Sequence, residues 1–133
     1  MKHLLIKAMA GSGLILMTLT ASAQAQPQYD QNQERREVRD QDRIFDHLRG
    51  DLDRARASTM PMTPDRDRVI RADERVNECQ RRVNSGTYDR RDFDTAIAAV
   101  QQVADMNRLP DEDRRLLSDD IQSLTRLRDR LGD

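Results

Sequence analysis

The sequence predicts an all-α protein: a small up-down four-helix bundle behind an N-terminal signal peptide. Three observations predict it. After residue 34 the apolar residues recur at three- and four-residue intervals in four separate stretches. The junctions between the stretches carry proline, glycine and capping residues where helices start and stop. The first 25 residues have the basic, apolar, small-residue order of a cleaved leader. A three-helix core with a looser first helix is the other form the pattern allows, because the first stripe is the weakest.

In the leader, Lys2, His3 and Lys7 form a short basic start, residues 8–20 an apolar run, and residues 21–25 (Ala-Ser-Ala-Gln-Ala) a peptidase site. Cleavage is expected after Ala25, with Ala23 as the second choice. The run is shorter than the roughly 20 apolar residues that span a bilayer. No cysteine follows it for lipid attachment. The expected destination is the bacterial periplasm or the exterior, with no membrane contact after cleavage.

Residues 26–33 lack apolar rhythm and are expected to be a flexible mature N-terminus. A single helical domain, residues 34–133, follows. Its first helix, about 34–57, carries the stripe Val38, Phe45, Leu48, Leu52, Ala55, with Gln41 in the polar slot and Gly50 as a weak point. A connector, residues 58–63, ends in Thr63 as a cap, Pro64 at the first helical position and Asp65 beside the positive end of the dipole. The second helix, about 64–84, places Val69, Ala72, Val76, Cys79 and Val83 on one face. Asp67 with Arg71 and Glu78 with Arg82 are spaced to pair on the other. Gly86 stops it in the left-handed conformation.

Asp89 caps a third helix, about 90–107, whose inner face is Phe93, Ala96, Ile97, Val100, Val103 and Ala104. Leu109, Pro110 and the acids at 111–113 start the fourth, about 111–131. Leu116, Leu117, Ile121, Leu124, Leu127 and Leu131 line that helix, and Gly132 ends it. Short connections make antiparallel neighbours the simplest packing.

Composition removes whole classes of function. The chain has 133 residues, one cysteine and no tryptophan, so it is one domain at most, without a disulfide framework or a thiolate metal site. Without the leader it has 21 Arg, no Lys and 24 acids, a net charge of −3 with the signs interspersed. A nucleic-acid binder needs a concentrated basic face, so no nucleic acid is expected as a partner. No calcium loop, glycine-rich phosphate loop or serine elbow occurs. Almost every acid falls on an outer face, where its pKa would be ordinary. An enzyme is therefore not expected, and no cofactor is implied.

The candidate sites are few. Cys79 lies on the inner face of the second helix and reads as a small buried hydrophobe, with an intermolecular disulfide as the alternative. Met60, Met62 and Met106 fall at one end of the bundle, where they either plug the core or offer thioethers to Cu(I). His47 is the one histidine of the mature chain and reads as a solvent-facing helix residue; with no second histidine it is not expected to anchor zinc. The arginine pairs at 81 and 82 and at 90 and 91 converge on the turn at Ser85 and Gly86, where Glu78, Asp89, Asp92 and Asp94 cancel them.

Residues 62–70 and 109–117 form a weak internal repeat, an apolar residue and a proline helix start followed by two adjacent apolar residues. The pair is similar to the Leu-Thr-x-x-Gln repeats of small helical envelope-stress proteins of the bacterial periplasm, some of which are chaperones. The final Gln is Arg66 in one copy and Asp113 in the other, and the second copy lacks the Thr. The expected function is that of an exported, non-enzymatic binding, scaffolding or chaperone-like protein, monomeric or homodimeric, whose partner is a polypeptide or an envelope component. A small-ligand carrier, with Cu(I) at the methionines, is the alternative.

Overall fold

A computed structural model describes the backbone of residues 4–132 and the side-chain surroundings of residues 30–132. Four helices follow one another: α1 (Leu4–Ala57), α2 (Pro64–Ser85), α3 (Arg90–Met106) and α4 (Asp111–Leu131). The protein is all-α and takes the four-helix form. The chain divides into two units, Met1–Arg39 and Asp40–Asp133, and the bundle is the second. The side chains of the expected leader lie outside the described residues. Among the described residues, no helix is long and apolar enough to cross a membrane.

Helix α1 begins well before residue 34. Residues 30–40 are all exposed, so burial does not hold them helical. Their Gln, Glu and Arg are good helix formers, and propensity is enough to extend a helix that is anchored farther along. Val38, expected on the inner stripe, is 52% exposed. The stripe does its packing from Phe45 onward: Phe45, Leu48, Leu52 and Ala55 are at most 1% exposed. The first helix is therefore part of the core over its last three turns.

The other boundaries follow local chemistry. Thr63 caps α2, its side chain accepting from the Arg66 amide at 3.3 Å, with Pro64 at the first helical position. Gly86, at φ 70°, closes α2 and donates to the Arg82 and Val83 carbonyls. Asp89 caps α3 in a reciprocal box, in which its carboxylate accepts from the Asp92 amide while that of Asp92 accepts from the Asp89 amide. Pro110 precedes α4 without a side-chain cap, and the acids at 111–113 face the positive end of its dipole. Helices α2 and α3 end one residue from the expected positions, the usual uncertainty of a fraying terminus.

Polar ties fix the directions. His47 meets Asp120 while Ser58, farther along the chain, meets Asp113, so α1 and α4 run antiparallel. Arg82 pairs with Asp92, whereas Arg68, at the start of α2, reaches Asn107 at the end of α3. Arg128 pairs with Asp94, and Arg114 donates to the Ala104 carbonyl. Each neighbour therefore reverses direction, which gives the up-down-up-down order. A continuous core joins all four helices, with Phe45, Val76, Phe93, Val100, Leu117 and Leu124 among its fully buried side chains. Ile97, Ile121 and Leu131 lie partly buried at its margin.

Candidate functional site

The structure gathers three side chains that the sequence keeps apart. His47 and Asp51 stand one turn apart on α1, and Asp120 comes from the middle of α4, 73 residues from His47. Neighbouring core residues set the register. Leu48 and Leu52 on α1 and Leu117 and Leu124 on α4 are buried, which brings the seam between the two helices alongside the intervening positions. Asp51 is 8% and Asp120 4% exposed, while the His47 side chain is 60% exposed.

His47 Nδ1 donates to Asp120 Oδ1 at 2.7 Å and lies 3.3 Å from Asp51 Oδ2. The second contact has an ion-pair separation but not the alignment of a hydrogen bond. The Oδ2 atoms of both aspartates are thus buried without a hydrogen-bond partner. Burial first, and second a hydrogen bond with the Asp51 carboxyl that Asp120 makes only when protonated, push Asp120 up to about 7, with His47 acting in the opposite direction. The His47 imidazole is raised above its ordinary value, chiefly by its hydrogen bond to Asp120 and then by that carboxylate's charge; desolvation, and last the Arg54 charge, oppose the shift. One ligand atom from each of the three residues lies within 4.8 Å of the other two. A cleft of about 250 Å³, lined by Arg43, Ile44, His47, Asp119, Asp120 and Ser123, opens beside them.

His47 is the solvent-facing helix residue that was expected, its side chain 60% exposed, and it borders a buried pair of aspartates that the sequence did not announce. Among the described residues, Asp51, Asp113 and Asp120 are the buried exceptions to the outward placement of the acids. Asp113 accepts from Ser58 Oγ at 3.2 Å, a tie between α1 and α4. The i, i+4 spacing of His47 and Asp51 was the available signal. Asp120 gives none, because its burial depends on which flank of the α4 stripe faces α1.

The remaining candidates are spread through the fold. Cys79 is buried on α2 as a small hydrophobe, and desolvation, with Asp92 adding to it, pushes its thiol up to about 12. An intermolecular disulfide there would require α2 to leave the core. Met60 and Met62 lie in the connector after α1 and Met106 ends α3, at one end of the bundle; they are 76%, 99% and 59% exposed. They do not plug that end. Leu109, Thr59 and Asn107 are buried there instead, and Asn107 ties the helices by donating to the Asp65 carbonyl at 2.8 Å and accepting from Arg68 at 3.2 Å.

Three of the four arginines near the turn pair with acids. Arg81 and Arg82 both bond Glu78, Arg82 also pairs with Asp92 at 3.4 Å, and Arg90 lies 3.9 Å from Asp129. The expected Glu78–Arg82 pair forms, while Asp65 with Arg68 takes the place of Asp67 with Arg71. No protein family, curated protein or solved structure matches the chain. Fold and side chains together therefore define its class, an all-α four-helix bundle with a buried aspartate pair at one helix seam.

Proposed function

We propose that this chain is an exported, non-enzymatic protein of the bacterial periplasm or exterior that binds apolar segments of other polypeptides, as a chaperone or scaffold does. The observation that carries this reading is the group of three exposed methionines at one end of the bundle, Met60, Met62 and Met106. Methionine is unbranched and polarizable, so exposed thioethers conform to many apolar shapes, as promiscuous binding surfaces require. Met62 is also held at φ 60°, a conformation that costs an ordinary residue about 1 kcal/mol. The backbone bears that cost while the side chain stands almost wholly in water. The leader-like residues 1–25 support export. The one cysteine offers no nucleophile, since its thiol is buried and pushed up to about 12.

The test is suppression of aggregation of a thermally unfolding client, followed by light scattering, with protein recovered from the periplasm. The recovered chain is expected to begin at Gln26. Substitution of Met60, Met62 and Met106 together by Ser removes no buried side chain, so the helical content should be unchanged while the protection is lost. Equal scattering with the parent, the variant and no added protein would overturn the proposal.

A further inference from the structure

We propose that His47, Asp51 and Asp120 form a binding site for a single first-row divalent cation of the zinc type, at the seam between α1 and α4. The argument begins with the two aspartates. Each has an Oδ2 atom that is buried and has no hydrogen-bond partner. An unsatisfied buried carboxylate oxygen is costly, and native proteins resolve such a group with a proton, a partner or a metal. No arginine fills the role here. Arg43 lines the neighbouring cleft and Arg54 acts on His47 from farther along α1, yet neither forms an ion pair with Asp51 or Asp120 among the described residues. What fits between the carboxylates is smaller than a side chain: a proton that Asp120 shares with Asp51 in the metal-free chain, or a cation that displaces it.

The donor set selects among small cations. Two carboxylates and one imidazole supply oxygen and nitrogen, which suits zinc, cobalt and manganese. Calcium takes six to eight oxygens, and magnesium holds its waters and prefers carboxylates and phosphates. Two carboxylates and a neutral imidazole also balance a divalent charge, so a bound ion would leave the seam neutral. Ligand atoms around tetrahedral zinc stand about 3.3 Å apart, given bonds of about 2.0–2.1 Å. The distances here are 2.7 Å from His47 Nδ1 to Asp120 Oδ1 and 3.3 Å to Asp51 Oδ2, with all three ligand atoms within 4.8 Å of one another. Small side-chain rotations close the difference. Metal at Nδ1 takes the neutral imidazole with its proton on Nε2, so an imidazolium gives its Nδ1 proton to solvent, and a protonated Asp120 gives up its own as well. The exposed face of His47 gives the ion a way in and leaves a position for water, an open coordination sphere with three protein ligands.

Co2+ provides a direct readout, because its visible absorption reports nitrogen and oxygen ligation, and Zn2+ should displace it. Titration of the full chain is expected to saturate at one equivalent. His47→Gln, at an exposed side chain, should weaken binding at least about tenfold with the helical circular dichroism unchanged. Asp120→Asn should do the same and provides the second, independent variant. Saturating Zn2+ should raise the melting temperature of the parent and leave that of His47→Gln where it was. Where residues 1–25 are retained, parent and variants all carry His3, so binding at the chain start gives no difference between them. The site is disproved if the parent binds no Co2+ at concentrations up to about a hundred micromolar, or if His47→Gln binds it within twofold of the parent.

Discussion

A single thiol shows how burial changes the chemistry of a side chain. Cys79 sits on the inner face of α2 with Val76 and Val83, and loss of water contact pushes its thiol from an ordinary value near 9 up to about 12. An unfolded chain releases that proton near pH 9, whereas the folded chain keeps it until about pH 12. Between these values the unfolded state binds fewer protons, so stability falls as pH rises, by at most about 1.4 kcal/mol per unit. Below pH 9 this contribution is constant. Denaturant melts between pH 8 and 11 should show the decline in the parent, and Cys79→Ala should have a shallower slope from a somewhat lower starting stability. Equal slopes would mean that the thiol is not desolvated. The same burial makes Cys79 slow toward disulfide reagents until the helix opens.

Among the elements, α2, α3 and α4 were legible in the sequence almost to the residue, because each is bounded by a residue that can do one thing well. Thr63 with Pro64, Gly86, and Asp89 have capping and turn chemistry that no helix interior needs. Helix α1 was legible only where it packs. Over residues 30–40 its side chains are exposed and, apart from Val38, polar, so no apolar period there reports a helix that propensity extends. The connector before α2 holds the feature sequence reading had no means to find, Met62 at φ 60° with its side chain in water. Since no contact is lost there, substitutions read the backbone alone. Met62→Val should lower stability by about 1 kcal/mol, because a β-branched residue resists the left-handed region. Met62→Gly should leave it unchanged or raise it by up to about 1 kcal/mol, the relief being partly offset by the greater freedom of glycine in the unfolded chain. The order Val below Met, with Gly at or above Met, is the outcome to check by urea denaturation; the reverse order would show that the connector takes another conformation in solution.

On the scale of the whole molecule, the question is whether α1 belongs to the cooperative unit or merely leans on it. Its stripe looked the weakest in sequence because Val38 and Gln41 dilute it, yet the four residues Phe45, Leu48, Leu52 and Ala55 are as buried as any on α3. The His47–Asp120 and Ser58–Asp113 contacts add polar ties to α4 at two levels of the seam. Shared burial makes melting cooperative, since separating α1 would expose the faces of its neighbours as well as its own. Phe45→Ala removes the largest side chain that α1 contributes and should cost about 3–5 kcal/mol, a large share of the stability of a domain this small. That loss should shift one transition without splitting it. Hydrogen exchange supplies the sharper measurement: amides of residues 45–55 should be protected to the same free energy as those of α3, and Phe45→Ala should lower both sets equally. If the α1 amides exchange at much lower cost in the parent while those of α3 stay protected, the core is a three-helix one and α1 is an opening element. A divalent ion at the α1–α4 seam would raise both sets together, because it ties α1 to the unit whose opening limits them all.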